Sequence, residues 1–478
     1  MQLLDLITIF IFALGIVIMG LSFSGKGRNM KSFFAAGGAV PWAMSGLSLF
    51  MGFFSAGTFV VWGSIAYSLG WIAISIQWTM AIAGFVVGFF IAPRWHKTSA
   101  LTVAEYITRR LGVNTQKTYT YLFLFISLFT TGSFLYPVAK IVEVSTGMPL
   151  DLCILLLGGF CIVYVAAGGL WAVVSTDVLQ FIILTAAVLI VVPLSFGRVG
   201  GVVNFIESIP ATYFNLVNGE YTIGFIIAFG VYNAIFLGGN WAYVQRYASV
   251  NSQSSARKVG FLFGGLYVVS AVLWMLPPMI YRIVNPSLST IDAEGAYLMM
   301  CKEVLPAGLL GLMLSGMVFA TASSLNATLN ISSGVVTNDI FKRLFPQSSD
   351  KTLMRVARIS TIIFGLLAII VALLIPLMGG IVNVVISVAA LTGVPLYLPI
   401  IWTLFSKRQT EYSVITTTLV SLGANAFFKF ITPLWGFGFN RAEEMIVGVA
   451  FPVFCLIAFE LYYKLNHKIS HRYVEYQE

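Results

Sequence analysis

Residues 45–58 read SGLSLFMGFFSAGT, so small and polar residues interrupt a segment that is otherwise apolar enough to cross a membrane. A second apolar segment is interrupted in the same way from Gly230 to Asn240 (GVYNAIFLGGN). These are the second and seventh apolar segments, and because they lie five segments apart they cross the membrane in opposite directions. Helices broken at matching places in two halves indicate an inverted repeat, whose unwound backbone binds substrates and ions. The alternative is close helix packing through small residues.

The whole chain has the composition of an integral membrane protein. Its 478 residues are 59% hydrophobic and only 9% charged. A membrane-spanning helix needs about 20 mainly apolar residues, and on that criterion we predict about thirteen spans. The predicted spans are 2–22, 41–66, 70–92, 118–145, 151–168, 171–196, 222–240, 257–281, 307–335, 355–376, 378–404, 412–431 and 444–463. Little is left for a soluble domain, so residues 1–478 are expected to form a single transmembrane domain.

The basic residues predict the orientation. Most of the 27 lysines and arginines fall in alternate loops, which are cytoplasmic if the N-terminus lies outside. Because cytoplasmic loops carry an excess of positive charge, we predict an external N-terminus and an internal C-terminus. The net charge of +9 therefore reflects topology and not nucleic-acid binding, since no basic stripe interleaves with exposed aromatic residues. A chain this short is expected in a bacterial cytoplasmic (inner) membrane.

The sequence contains no recognisable set of catalytic residues. Its three histidines, His96, His467 and His471, all fall in predicted cytoplasmic segments. The HExxH, P-loop and Gly-x-Ser-x-Gly motifs are absent from the sequence. We therefore expect a protein that is not an enzyme.

A polar series runs through the apolar stretch from Leu309 to Asp339. It includes Ser323, Ser324 and Asn326. Buried hydroxyls and amides are costly in a membrane unless they face a partner, a cavity or an ion. This stretch is therefore the strongest pointer to a binding site.

Four stretches of the chain, in order, resemble the sodium/solute symporter family, which includes the sodium/galactose and sialic acid symporters. They are Ala56–Gly70 (AGTFVVWGSIAYSLG), Gly168–Gln180 (GGLWAVVSTDVLQ), Gln245-Arg246-Tyr247 with Ala256-Arg257, and Ala320–Phe341 (ATASSLNATLNISSGVVTNDIF). The resemblance implies an all-α LeuT-like core of two inverted five-helix repeats whose first and sixth core helices are broken. The expected parts are an extra N-terminal helix (2–22), the first repeat (41–196), the second repeat (222–404) and two peripheral helices (412–463).

The resemblance also implies a sodium site between the first broken helix and the eighth core helix. Its ligands would be the backbone oxygens of Met51, Phe54 and Ala320 and the hydroxyls of Ser323 and Ser324. Carbonyls freed by a helix break, together with hydroxyls, supply the hard oxygen ligands that sodium requires. The alternative is that each serine hydrogen-bonds to the carbonyl one turn earlier.

Asp177 is implied as part of a second ion site or of the exit path for a single ion. Family members with a second sodium add hydroxyls three and four positions after the first paired serine, where this chain has Asn326 and Ala327. We therefore expect one sodium ion. The alternative role for Asp177 is a helix N-cap.

The resemblance to the galactose-type members implies the solute contacts. Thr58, Gln77, Asn233 and Tyr267 match sugar-contact positions, and Trp62 and Phe236 match aromatic gates on either side of the solute. Amides both donate and accept hydrogen bonds, as a polyhydroxylated ligand needs, and aromatic walls suit the apolar face of a sugar ring. The alternative for each side chain is a role in packing.

Lys140 is a cation inside the predicted fourth span. It either reaches the outer interface or pairs with Glu143 one turn later, or it attracts the carboxylate of a sugar acid. The third reading predicts that Lys140→Ala abolishes uptake of an anionic sugar and spares neutral sugars.

Together these features predict a sodium-coupled symporter that imports a monosaccharide or sugar acid by alternating access and works as a monomer. The alternatives are an amino-acid or carboxylate symporter, a proton-coupled symporter of the same fold, and a membrane sensor that binds without translocating.

Overall fold

The computed structural model describes residues 2–24, 40–100, 102–164 and 170–477. Over these ranges the chain is almost entirely helical, and the described residues contain no β-strand. This confirms the all-α fold class.

The described residues up to residue 208 form ten α-helices. They are α1 (Leu3–Ser24), α2 (Trp42–Met51), α3 (Gly63–Leu69), α4 (Trp71–Val86), α5 (Ala92–Lys97), α6 (Val103–Leu111), α7 (Val113–Thr146), α8 (Leu150–Tyr164), α9 (Leu170–Arg198) and α10 (Val202–Ser208). π-Helical turns at Thr58–Trp62 and Val87–Ile91 precede α3 and α5.

Twelve α-helices follow. They are α11 (Ile223–Gly239), α12 (Trp241–Ala248), α13 (Gln253–Val284), α14 (Ala296–Val304), α15 (Leu309–Gly334), α16 (Lys342–Leu344), α17 (Asp350–Leu374), α18 (Ile381–Val388), α19 (Val394–Thr403), α20 (Glu411–Ala426), α21 (Arg441–Leu465) and α22 (His471–Gln477). π-Helical turns at Val335–Phe341, Ala389–Gly393 and Phe427–Ile431 interrupt this series, and short 3₁₀ turns lie at Ala211–Phe214, Asp292–Gly295, Ile375–Met378 and Thr432–Trp435.

Eight helical segments of the described chain are long and apolar enough to cross a membrane, and the pair α11 and α12 makes a ninth if counted as one span. Shorter apolar helices include Trp42–Met51 and Thr58–Leu69, the two halves of the predicted second span. Each half is too short to count by itself, because the break divides the span. The number of about thirteen spans therefore stays a prediction.

The first broken helix lies where the sequence indicates. Helix α2 ends at Met51, and residues 52–55 form a turn and bend before helical backbone resumes. The backbone hydrogen bonds around this break end on the carbonyls of Leu49, Phe50 and Ser55. Within the described residues, the carbonyls of Met51 and Phe54 are not among these acceptors, so no described backbone N–H competes with a ligand for them.

The second break lies at the C-terminal end of its predicted stretch. Helix α11 runs without interruption through Gly230 to Gly239, and α12 then leaves at 59°. Asn240 has an extended backbone at the corner, and its side-chain oxygen accepts a hydrogen bond (3.0 Å) from the backbone N–H of Ala242. An N-cap of this kind starts the new helix, because it satisfies an N–H that the previous turn cannot reach.

Small residues let the core helices approach closely. A Cβ added to Gly84 of α4 would lie 2.7 Å from the backbone nitrogen of Gly264, and one added to Gly260 of α13 would lie 2.6 Å from the Cα of Gly88. Such backbone contacts are typical of membrane helix pairs, which pack through small residues. They fix α13 behind α4, one of the walls of the site described below.

Helix α1 is attached to the core through Asp5. One carboxylate oxygen of Asp5 accepts hydrogen bonds from the backbone N–H groups of Gly308 (2.7 Å) and Gly311 (3.1 Å). These groups lie at the start of α15, where N–H groups have no partner within the helix. The extra N-terminal helix therefore caps the helix that carries the paired serines.

Candidate solute and ion sites

A cavity of about 190 Å³ lies among the first helix break, α4, α7, α11 and α18. We call it the central cavity. All six residues assigned to solute contact or gating line it: Thr58, Trp62, Gln77, Asn233, Phe236 and Tyr267. Its remaining polar lining consists of Ser55, Thr130, Ser133, Tyr232, Tyr243, Thr392 and Tyr397. Within the described chain, no charged side chain lines this cavity.

The two amides of the central cavity differ in how they are held. The side-chain nitrogen of Asn233 donates to the hydroxyl of Thr79 at 2.8 Å, and that hydroxyl donates to the carbonyl of Ile76 at 2.6 Å. This chain fixes the orientation of the Asn233 amide and leaves its oxygen as an acceptor. The Gln77 amide has no hydrogen-bond partner among the described residues, so both its donor and its acceptor are available to a solute.

Thr58 and Tyr267 belong to the wall that contains the first break. The Thr58 hydroxyl donates to the carbonyl of Phe53 and so closes the turn around the break. The ring of Tyr267 packs against Phe263 at 5.1 Å and edge-on against Trp274 at 5.3 Å, measured between ring centroids. Packing of this kind holds the tyrosine ring in place at the cavity surface.

An aromatic floor, formed by Phe53, Phe236 and Tyr243, closes one end of the central cavity. Its ring centroids lie 5.0 Å apart for Phe53 and Tyr243 and 5.5 Å apart for Phe236 and Tyr243. Trp62 packs against Phe229 elsewhere on the cavity wall, with centroids 5.8 Å apart. The floor separates the central cavity from a second one.

The second cavity, of about 100 Å³, contains charged groups, and we call it the inner cavity. The Ser48 hydroxyl donates to the carboxylate of Asp177 at 2.6 Å and accepts from Nε of Arg246 at 3.0 Å. Asp177 is only 4% exposed. This chain of three side chains joins α2, α9 and α12, so separation of those helices requires these hydrogen bonds to break.

Two of the five residues assigned to sodium border the inner cavity. Met51 and Ser324 both line it. The Ser324 hydroxyl also lies 3.4 Å from the carbonyl of Ala320, the contact that the back-bonding alternative predicts. A hydroxyl that donates to a carbonyl keeps its lone pairs, so this contact is compatible with ion binding. The side chains of Ser323 and Asn326 lie outside the described residues.

A hydrogen bond from the break itself fixes α15 beside it. The backbone N–H of Ala56 donates to the hydroxyl of Thr321 at 2.9 Å, and Thr321 is 1% exposed. Sequence reasoning missed Thr321, although it stands within the quoted motif next to Ala320. Its neighbours Phe54 and Ala320 are buried. The Ala56–Thr321 hydrogen bond therefore places the residues that follow the break against the serine-bearing helix.

Lys140 lies away from both cavities. Its ammonium pairs with Glu143 at 2.9 Å, and Lys140 is 4% exposed. Nearby, the carboxylate of Glu294 accepts hydrogen bonds from the Tyr136 hydroxyl (2.7 Å) and the backbone N–H of Ile381 (2.9 Å). Lys140 is thus where the pairing alternative expects it, and its assignment to a solute carboxylate has no support from the geometry.

Sequence reasoning also missed much of the cavity lining. Thr130, Ser133 and Thr392 are hydroxyl residues in apolar spans, and the cost of burying a hydroxyl could have marked them. Ser48 and Arg246 both stood in quoted stretches of sequence. What the sequence did not reveal was that they meet Asp177 in one hydrogen-bonded chain.

The family model described as "Sodium:solute symporter family" matches residues 33–420. The chain belongs to this family. Its members couple solute transport to sodium, so this protein is a multi-pass membrane transporter for a small polar solute, and sodium is its coupling ion.

Similar proteins include sodium/glucose cotransporters from bacteria and animals. The sodium/glucose cotransporter of Vibrio parahaemolyticus is 28% identical over 472 residues, covering 90% of this chain and 86% of its own. Sodium/glucose cotransporter 1 of Mus musculus is 25% identical, with 95% and 76% covered. Sodium/myo-inositol cotransporter 2 of Sus scrofa is 27% identical, with 87% and 68% covered. These relatives are transporters and not enzymes.

Solved structures support the fold. A sodium-coupled sialic acid symporter, in a substrate-bound outward-open state, superposes with a TM-score of 0.80 at 21% identity, covering 96% of this chain and 98% of its own. A transporter of the nucleobase-cation-symport-1 family superposes with a TM-score of 0.57 at 15% identity, with 94% and 98% covered. The predicted LeuT-like fold is therefore confirmed.

Proposed function

We propose that this symporter imports a neutral monosaccharide or a related cyclic polyol together with one sodium ion. The observation that carries the proposal is the chemistry of the central cavity. Amides and hydroxyls alternate there with aromatic rings, and its described lining has no charged side chain. A polyhydroxylated ring needs both hydrogen-bond donors and acceptors around its edge and an apolar surface against its face.

A neutral sugar suits this cavity better than a sugar acid. A carboxylate taken out of water needs a cation or several hydrogen-bond donors, because burial of an unpaired charge is costly. The buried cation Lys140 lies away from the central cavity and is already paired with Glu143. The same argument disfavours an amino acid or a simple carboxylate as the solute.

The sodium ion would bind between the first break and α15. Carbonyl oxygens of Met51, Phe54 and Ala320 and the hydroxyls of Ser323 and Ser324 would be its ligands. Neutral oxygen donors are the ligands that a hard cation prefers. The inner cavity continues from Met51 and Ser324 to Asp177, which supports a role for this carboxylate on the exit path of that one ion.

The coupling of solute binding to sodium binding would depend on the helices that the ion joins. Sodium favours the state that holds α2 against α15, and the solute binds to the same break from the other side through Thr58. Each ligand stabilises the arrangement that the other needs, so the two affinities rise together. Opening toward the cytoplasm would separate α2 from α9 and α12, which breaks the chain of Arg246, Ser48 and Asp177.

We place the N-terminus outside a bacterial cytoplasmic membrane and take the monomer as the working unit.

Uptake by proteoliposomes tests this proposal. We expect an inward sodium gradient, and not an equal potassium gradient, to drive accumulation of D-galactose, D-glucose or myo-inositol. N-acetylneuraminate and proline should accumulate at least tenfold less. Accumulation of proline or N-acetylneuraminate alone would overturn the neutral-sugar assignment, and accumulation driven only by a pH gradient would overturn sodium coupling.

Counterflow separates a carrier from a sensor. Proteoliposomes loaded with unlabelled sugar should take up the labelled sugar transiently, because a carrier exchanges solute across the membrane. Saturable binding of the sugar without any counterflow would favour the sensor.

A further inference from the structure

The wall of the central cavity contains a helix irregularity with an identifiable cause. Residues Ala389–Gly393 form a π-helical turn between α18 and α19, and Ala389, Thr392 and Gly393 line the cavity. Pro395 follows two residues later and has no backbone N–H. The carbonyls four and five residues before a proline lose the partners that an α- or π-helix would give them. Here those carbonyls belong to Leu391 and Ala390.

A side chain from outside the two repeats satisfies both carbonyls. The amide nitrogen of Asn425, on α20, donates to the carbonyl of Ala390 at 3.1 Å and to that of Leu391 at 3.2 Å. Asn425 is 5% exposed. A buried carbonyl without a partner costs free energy, and an amide with two N–H groups can serve two carbonyls at once.

Close packing fixes the same turn on both sides. A Cβ added to Gly393 would lie 2.1 Å from the ring of Tyr232, which also lines the central cavity. A Cβ added to Gly448 of α21 would lie 2.4 Å from the carbonyl oxygen of Ala390. The π turn is thus held between a cavity tyrosine and the two peripheral helices, so a shift of the turn displaces Tyr232 and Thr392.

We infer that Asn425 is a positioning residue for the solute site. Its amide holds the π turn at Ala389–Gly393 in the shape that presents Thr392 and seats Tyr232, although Asn425 itself does not line the cavity. The residues assigned to sodium lie on α2, in the first break and on α15, none of which this contact touches. Loss of the Asn425 amide should therefore weaken solute binding and leave sodium binding unchanged. The solute part of this inference rests on the proposed function, whereas the part about the π turn does not.

Two variants of α20 test the role of the amide. Asn425→Leu removes both N–H donors at similar volume. Thr417→Val is the matched control, since Thr417 is fully buried on the same helix and its hydroxyl has no hydrogen-bond partner in the described chain. Loss of two hydrogen bonds should accelerate hydrogen exchange in a peptide covering residues 388–394 by about tenfold in N425L but not in T417V. Exchange within twofold of the wild type in N425L would overturn the inference.

Transport kinetics test the consequence for the solute. In proteoliposomes, N425L should raise KM for the transported sugar by about tenfold and change the half-saturating sodium concentration by less than twofold. Equal rises in both quantities would mean general destabilisation and would contradict a positioning role. If the wild type transports none of the sugars, the proposed function fails, and the exchange measurement alone then decides the role of Asn425.

A double variant tests the physical cause. Pro395→Ala returns an N–H that can reach the carbonyl of Leu391, so N425L should cost less stability in the P395A background than in the wild type. If P395A restores the stability or folding of N425L, the result supports a role for Asn425 in satisfying the carbonyls that Pro395 leaves without partners. An N425L defect that P395A leaves unchanged would overturn it.

Discussion

The central and inner cavities share an aromatic floor but differ in the groups that they expose. The central cavity is lined by amides, hydroxyls and aromatic rings, and the inner cavity is lined by Asp177, Arg246 and Ser48. The charges of the inner cavity are joined through the Ser48 hydroxyl, as buried charges must be. In the proposed mechanism, the charged groups lie where helices would separate and an ion would pass, and neutral groups would recognise the solute.

Substitution of Gln77 should have the largest effect, and it tests whether the central cavity binds the solute. Gln77→Leu should lower kcat/KM for the sugar by roughly 10- to 100-fold, because it leaves solute hydroxyls without partners in a closed site. Half-saturating sodium should stay within about twofold. The control is Gln116→Leu, since Gln116 is equally buried on α7 but lines neither cavity. Equal losses in the two variants would remove Gln77 from the solute site.

Substitution of Ser48 tests whether the hydrogen-bonded chain in the inner cavity holds the inner side closed. Ser48→Ala removes the hydroxyl between Asp177 and Arg246 and should ease inward opening, which raises half-saturating sodium by roughly tenfold. Ser45→Ala is the control, because Ser45 lies one turn earlier and its hydroxyl, within the described residues, bonds only to the backbone carbonyl of Arg246 and to Ser249. An unchanged sodium dependence in S48A uptake assays would contradict the role of this chain as an inner barrier.

Substitution of Lys140 tests whether this cation takes part in solute binding, although it does not line the central cavity. Since Lys140 pairs with Glu143, Lys140→Ala should leave kcat/KM for neutral sugars within about twofold and lower the melting temperature by a few degrees. The measurements are uptake and thermal unfolding. A tenfold loss of transport at unchanged stability would return Lys140 to the solute site.

The smallest expected effect concerns pH and Glu294, in the loop between α13 and α14. Burial raises the pKa of the Glu294 carboxyl above its ordinary value. Its stabilising contribution is therefore complete below the ordinary carboxyl pKa and is lost as pH rises through the raised value. In Glu294→Gln the amide oxygen can still accept from the Ile381 N–H, and the amide nitrogen can donate to the Tyr136 hydroxyl, so both contacts remain without a charge. This variant should raise the melting temperature by a few degrees at pH 8 and not at pH 5. A larger gain in melting temperature at pH 5 than at pH 8 would contradict the raised pKa of Glu294.

The sequence predicted the features that depend on local composition. Glycine and serine in residues 45–58 marked the first break, and the matching of Gln77, Asn233 and Phe236 named residues that the structure gathers around one cavity. Sequence spacing placed the second break less well, because Gly230 packs inside a continuous helix and the Asn240 cap determines the corner.

Contacts between distant parts of the chain could not be predicted. Ser48 meets residues 129 and 198 positions away, and no local pattern specifies such partners. Pro395 explains why two carbonyls lack helical partners, but only the fold places Asn425 against them. Lys140 pairs locally with Glu143, which the sequence did offer as an alternative.

Thermal unfolding tests, before any solute is known, whether sodium binds between the first break and α15. The purified protein is compared in sodium chloride, potassium chloride and choline chloride, alongside Ser323→Ala. At ten times its dissociation constant, sodium should stabilise the folded protein by about 1.4 kcal/mol. We predict a higher melting temperature in sodium alone and its loss in S323A. Equal melting temperatures in all three salts, or a sodium effect that S323A retains, would contradict the account.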